Sequence, residues 1–274
     1  MVASSDFESK HLRLIIGEAV SILFRHMRFF TSSGTKLDDF SFIQVDMHSH
    51  LLPQIDDGAV SVADTVQLLR GLRELGFSKF WTTPHVMADF FGNTKESISN
   101  SLRKTKSSLA TLGLGRNLHA SAEYYLDEDF QNLLERDELL PLPGNRVLVE
   151  WSLLAQPLLV LDVLNDLLGR GYIPVIAHPE RYQNVKQSIR TWKELKYLGC
   201  ELQVNLLSLC GHYGVKARKT AFQMLKEDTV AYLGTDCHCL EHVRRLYRVL
   251  EDRDSNLLLK QVKLRNKNFE FALK

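Results

Sequence analysis

From Ser41 onward the chain alternates short runs of β-branched, aromatic and aliphatic residues with longer segments whose apolar positions recur every three or four residues. The short runs suit buried strands and the longer ones amphipathic helices, so the alternation predicts parallel strands joined by crossover helices. FSFIQVDMH (40–48) reads as the first strand. VSVADTVQLLRGLRELG (60–76) reads as the first helix, with Val62, Val66, Leu69 and Leu72 on one face and Gly76 stopping it. The later strands are KFWTTPH, LHASAEYY, RVLVEWS, YIPVIAHPE, ELQVN and TVAYLGTDCH. Helices are predicted near 95–112, 127–136, 157–169, 187–198, 216–227 and 238–251, which makes seven strands in all.

Ahead of this pattern, residues 11–30 carry Leu12, Ile15, Ile16, Ala19, Ile22 and Leu23 at helical spacing, and SSGTK at 32–36 breaks the periodicity. Three readings fit: a helix packed on the barrel that follows, a membrane-surface or partner-binding helix, and upstream sequence preceding a start at Met27. Residues 1–40 therefore read as an N-terminal extension and 41–274 as one domain. Arg13, Glu18, Arg25 and Arg28 interrupt the greasy tract, so no membrane span is expected. At 274 residues the chain suits one large α/β barrel. Its 34 Lys+Arg against 33 Asp+Glu leave no field that would select nucleic acid. Cys200, Cys210, Cys237 and Cys239 form neither a CxxC pair nor a dense disulfide framework, which suits a reducing cytoplasm.

The chemistry sits where strands give way to loops. DMHSH, DDGA, TTPH, AEYY, VEWS, AHPER and GTDCH each place a metal-type ligand there. Ligands scattered after every strand converge at the mouth of a β/α barrel, whereas an open doubly wound sheet gathers them at one switch point. His48 and His50 are i and i+2 on a strand and share a face, as do Asp236 and His238. Asp57 lies in the IDDG turn, where Gly58 permits a tight bend back toward the strand end. Pro84 ends the second ladder and aims His85 out of the mouth. Glu123 and Glu150 close apolar strands, as ligands or as solvated rim carboxylates. His178 is followed by Arg181, whose planar fork suits phosphate oxygens; the alternative is a salt bridge to a loop acid such as Glu180. Tyr124, Tyr125, Trp151, Phe90, Phe91 and Tyr182 lie near these positions and form either an aromatic rim or packing.

The set DMHSH, IDDG, TPH, AEYY, VEWS, AHPERY, QVN and GTDCH, in order from Asp46 to Arg245, resembles the polymerase-and-histidinol-phosphatase (PHP) superfamily. Within it, the set is most similar to the bacterial manganese-dependent protein tyrosine phosphatases encoded with capsular and exopolysaccharide genes. The resemblance implies a distorted, seven-stranded, TIM-like barrel with three divalent ions, manganese first and iron or zinc as alternatives. By matching motif, His48, His50, Glu123 and Asp236 would hold one ion; Glu123, Glu150 and His178 a second; Asp57, His85 and His238 a third. It further implies hydroxide attack on phosphorus, with Arg181 on the phosphate and His238 or a water as acid for the leaving group. The implied partner is the tyrosine-rich tail of a membrane-anchored autokinase, met at the cytoplasmic face. A small-molecule phosphatase such as a histidinol-phosphate phosphatase is the alternative. Gln54 departs from the glycine that relatives often carry before IDDG, and LLAQPLLVLDVLNDLL is unusually leucine-rich. His238-Cys239 followed by Arg245 also satisfies the HCx5R pattern of cysteine-dependent tyrosine phosphatases. LEHVR, however, has no glycine for a phosphate loop and places Glu241 where a dianion would sit.

Overall fold

The computed structural model describes residues 36–154, 159–182 and 189–270; the amphipathic tract at 11–30, with its three readings, lies outside them. A compact unit begins at Leu37, slightly before the expected boundary. Phe40 is fully buried, and the Leu37 N–H donates to Asn256 Oδ1, so these residues belong to the domain.

Strands β1 (Val45–Asp46), β2 (Lys79–Thr82) and β4 (Leu118–Ala120) pair side by side. A second run comprises β3 (His85–Val86), β5 (Glu123–Tyr125), β6 (Arg146–Glu150), β7 (Ile173–Ala177), β8 (Glu201–Asn205) and β9 (Tyr232–Gly234). Every pairing is parallel. β2 and β3 are the two halves of KFWTTPH, and β4 and β5 those of LHASAEYY. Pro84 therefore does not end its ladder. It interrupts it, because the imino nitrogen cannot donate while its carbonyl still accepts from the Glu123 N–H at 3.1 Å, and His85 resumes pairing opposite Glu123. At the far edges Ser49 bridges Cys237 in parallel, and the Asp236 N–H donates to the His48 carbonyl at 2.8 Å. The pairings thus run through the seven predicted strands and return to the first.

Among the described residues seven helices lie between strands, α1 (Val62–Glu74), α2 (Lys95–Leu109), α3 (Glu128–Glu135), α4 (Val160–Gly169), α5 (Ile189–Leu198), α6 (Leu206–Leu209) and α7 (Val215–Lys226), and α8 (Leu240–Glu251) and α9 (Arg253–Leu259) follow the last strand. Ser61, Thr94 and Asp127 cap α1, α2 and α3 by accepting first-turn amides. α6 and α9 have no counterpart in the sequence pattern; one is a single turn and the other restarts a helix at a new cap, Asp252. The buried face of α1 is Thr65, Leu68, Leu69, Gly71 and Leu72, rotated from the predicted stripe, and Val62 and Val66 are only partly buried. The cause is polar: the Thr65 hydroxyl donates to the Leu51 carbonyl at 2.8 Å, a bond that hydropathy cannot show.

Strand period fixes what each level of the interior contains. Arg146, Leu148 and Glu150 alternate along β6, and Glu201, Gln203 and Asn205 along β8. At the amino-terminal end Glu201 accepts from Arg146 at 2.7 Å, Tyr232 at 2.6 Å and Arg265 at 2.6 Å. Above them Val45, Met47, Trp81, Leu148, Val175 and Ala177 form an apolar layer. The carboxyl-terminal ends carry Glu150, Asn205 and, just past β9, Asp236.

Between β1 and β9 the lower gap is filled by one side chain. Asn266, fully buried, accepts the Leu233 N–H at 3.1 Å and donates to the carbonyls of Val45 at 2.9 Å and Leu233 at 2.7 Å, acting as a substitute peptide group. Asn266→Ala leaves these backbone groups buried and unpaired. The expected loss is about 3 kcal/mol, read as a lower urea midpoint at unchanged m-value. A loss below about 1 kcal/mol would show that water closes the gap equally well.

Candidate metal centre

All nine residues singled out as metal-type ligands arrive at one end of the ring, from the carboxyl-terminal ends of strands or the loops that follow. His48, His50 and Glu123 are fully buried, and His178 and Asp236 nearly so. Three groups have ligand atoms within 4.8 Å of one another: His48, His50, Glu123 and Asp236; His50, Asp57, His85 and His238; and His85, Glu123 and Glu150. The first is the first set implied by the resemblance. The other two differ from the implied sets in detail, since His50 joins Asp57, His85 and His238, and His85 lies against the Glu123–Glu150 pair. His178 approaches that pair separately, its Nε2 3.1 Å from Glu123 Oε1 and 3.4 Å from Glu150 Oε2.

Local backbone explains how the ligands leave their strands. His178 (φ 33°) and Asp236 (φ 49°) both adopt the left-handed conformation, a departure that costs non-glycine residues about 1–3 kcal/mol each and gathers at functional sites. In the IDDG turn the bend is carried elsewhere than expected. Gly58 is required for close approach, because a Cβ there would lie 2.3 Å from the His50 carbonyl oxygen. The left-handed residue is Gln54 (φ 63°), the position noted as a departure from the resemblance.

A set of polar side chains orients the imidazoles. His48 Nδ1 donates to Gln203 Oε1 at 2.8 Å, Gln203 Nε2 to Asn205 Oδ1 at 2.8 Å, and Asn205 Nδ2 to Asp236 Oδ2 at 2.7 Å. His50 Nδ1 meets Asp56 Oδ2 at 2.7 Å, and His238 Nδ1 meets the Asp236 carbonyl at 2.9 Å. Each partner is an acceptor, so each Nδ1 carries the proton and each Nε2 is left as the free lone pair facing the cluster. Asp56, Gln203 and Asn205 were not assigned from the sequence. Their signal was present: ELQVN is a strand buried along its whole length, yet has amides at i and i+2. Asp46, which precedes the HxH pair, is no ligand. It accepts the Thr235 N–H and hydroxyl, and burial pushes its carboxyl up to about 6 against those bonds.

One atom tests whether a cation fits. Glu123 Oε2 is buried and makes no hydrogen bond, yet lies 3.1 Å from His48 Nε2, 3.4 Å from His50 Nε2 and 3.2 Å from His85 Nδ1. Lone pairs aimed at a common point are the donor set of a divalent cation. Burial pushes the Glu123 carboxyl up, but His48 and His85 hold it well below the usual range. Burial and the Arg181 cation push His178 down, yet Glu123 and Glu150 raise it to about 9. A ligating imidazole must give up its proton, so cation uptake below that value expels it, and affinity weakens as pH falls. Calorimetric titration with Mn2+ at neutral pH in buffers of different ionisation enthalpy is expected to show at least one proton released; heats independent of buffer would remove His178 from the ligand set.

Arg181 does not pair with Glu180. Its Nη1 donates to Asp236 Oδ2 at 2.9 Å, while Glu180 is buried and accepts from Asn205 N–H and the Ser208 hydroxyl. The HCx5R segment is no phosphate loop: exposed Cys239 occupies the N-cap position of α8 without a side-chain bond to it, and Arg245 donates to Glu241 one turn earlier. Of the aromatic candidates, Tyr124, Trp151 and Tyr182 are core, the last two stacked at 4.5 Å. Phe90 is exposed, Phe91 stacks on His85 at 5.5 Å, and Tyr125 lines a cavity of about 250 Å³ with Met87, Asn93, Asp127, Phe130 and Arg136. Among the described residues no helix is long and apolar enough to cross a membrane.

The family described as "Capsular polysaccharide synthesis, CpsB/CapC" matches residues 44–254. The chain is 27% identical over 197 residues to the putative tyrosine-protein phosphatase CapC of Staphylococcus aureus, covering 72% of this chain and 77% of that protein. It is 28% identical over 203 residues to the tyrosine-protein phosphatase CpsB of Streptococcus pneumoniae, covering 72% and 84% respectively. It is 24% identical over 212 residues to the tyrosine-protein phosphatase YwqE of Bacillus subtilis, covering 76% and 84%. A chain from the crystal structures of YwqE and the pneumococcal CpsB, described as unique metal-dependent tyrosine phosphatases, superposes with a TM-score of 0.68 at 23% identity, covering 80% of this chain and 96% of that one. The likeness establishes the parallel α/β fold.

Proposed function

The chain belongs to the CpsB/CapC family of capsular polysaccharide synthesis, and from that premise we propose that it is a metal-dependent tyrosine-protein phosphatase. The observation that carries the reading is the buried Glu123 oxygen, without a hydrogen bond and faced by nitrogens of His48, His50 and His85. His48, His50, Asp57, His85, Glu123, Glu150, His178, Asp236 and His238 would hold three divalent cations, manganese by family resemblance. When bound, such ions lower the pKa of water toward neutrality and stabilise charge on phosphoryl oxygens. The chain supplies the rest. Gln203, Asn205 and Asp56 hold the imidazole tautomers, and Arg181 binds the phosphate. His238, partly exposed at the mouth, keeps its proton on the Asp236 carbonyl, so a water is the acid for the departing oxygen. The substrate is a phosphotyrosine polypeptide, the tyrosine-rich tail of a membrane-anchored autokinase met in the cytoplasm. YwqE and CpsB are tyrosine-protein phosphatases and CapC is described as a putative one, which favours this over a small-molecule ester.

The test is turnover of a phosphotyrosine peptide and of histidinol phosphate by metal-stripped protein, with manganese, zinc or iron restored in turn. Activity on the peptide that returns with a cation is expected. Full activity after exhaustive chelation would exclude the proposal. In the same assay Cys239→Ser is expected to keep at least about half of wild-type kcat, since Cys239 is exposed at the start of a helix and belongs to no phosphate loop.

A further inference from the structure

α6 is followed by Gly211-His212-Tyr213-Gly214, a turn in which both glycines take positive φ (79° and 95°) that other residues rarely adopt. The turn carries Tyr213 back over the mouth of the ring. The Arg181 guanidinium carbon lies 4.2 Å from the centre of its ring, and its hydroxyl donates to Asp236 Oδ2 at 3.2 Å. That oxygen also receives Arg181 Nη1 at 2.9 Å and Asn205 Nδ2 at 2.7 Å. Three donors therefore occupy Oδ2, which leaves Oδ1 facing His48 and His50 at 3.4 Å each. The two elements are joined at their roots as well, because Glu180 Oε1 accepts from the Asn205 N–H at 3.0 Å and the Ser208 hydroxyl at 2.6 Å.

We propose that Tyr213 is a positioning residue for phosphate recognition: its ring fixes the plane of the Arg181 guanidinium, with one edge on Asp236 and the remaining N–H groups directed to the substrate phosphate. This rests on the reading of the site as a phosphatase centre. A planar cation seated on an aromatic face and tied at one edge has lost most of its rotational freedom before substrate arrives, so less is lost on binding. Tyr213 acts on the phosphate through Arg181, and its hydroxyl adds one of the three donors on Asp236 Oδ2.

The experiment is calorimetric binding of inorganic phosphate to the manganese-loaded full chain, with manganese content measured in parallel, for wild type, Tyr213→Leu, Tyr213→Phe, Arg181→Ala and the Tyr213→Leu/Arg181→Ala double variant. Tyr213→Leu is expected to weaken phosphate about tenfold, and Tyr213→Phe, which keeps the ring, no more than about threefold. Manganese content is expected to stay unchanged in both, and Tyr213→Leu to add nothing in the Arg181→Ala background. Wild-type affinity in Tyr213→Leu, an equal loss in the Arg181→Ala background, or lost manganese in Tyr213→Leu would each overturn the proposal. Failure of the wild-type chain to bind phosphate at all would overturn the phosphatase reading beneath it.

Discussion

Glu123→Gln is expected to lower kcat on a phosphotyrosine peptide by on the order of a thousandfold and to remove at least one equivalent of bound manganese. Its side chain faces four of the proposed ligands: Oε2 meets nitrogens of His48, His50 and His85, and Oε1 meets His178. The amide keeps the volume of the side chain, so the packing around it is preserved. It replaces one anionic oxygen by N–H donors, which cannot coordinate a cation and would confront the free lone pairs of the imidazoles. Steady-state kinetics and elemental analysis of the same preparation check both halves of the expectation. Retention of more than about a tenth of the activity with full manganese content would show that Glu123 is not a bridging ligand.

Arg181→Lys is expected to lower kcat/KM about a hundredfold while leaving the bound manganese intact. Lysine keeps the positive charge opposite Asp236, so the carboxylate remains paired. It loses the planar fork and the flat face that lies over Tyr213, and with them the geometry for gripping two phosphoryl oxygens. A variant within about threefold of wild type would mean that the residue serves Asp236 alone.

These expectations draw on two kinds of information. Hydropathy and spacing located seven parallel strand segments and placed the helices within a few residues, because strand and helix periods are local properties of the chain. They missed the rotated face of α1, set by the Thr65 hydroxyl. They also missed the breaks at Thr83-Pro84 and Ser121-Ala122, where the partner strand on either side changes the hydrogen bonding. Of the six aromatic residues left open between rim and packing, Tyr124, Trp151 and Tyr182 are core. An aromatic residue near a strand end reads the same in sequence whether it faces solvent or a neighbouring helix.

The sequence by itself determined the identity of the ligand-type side chains and the alternation that sends each to the end of a strand, since residue type and period need no knowledge of distant neighbours. Tertiary structure alone decided which of them meet: His85 as well as His178 against Glu123 and Glu150, Arg181 on Asp236 rather than Glu180, and Asn266 in the gap between the first and last strands. The reason is physical. Groups far apart in the chain are brought within bonding distance only when the ring closes, and burial then penalises a polar atom inside it that lacks a partner or a cation.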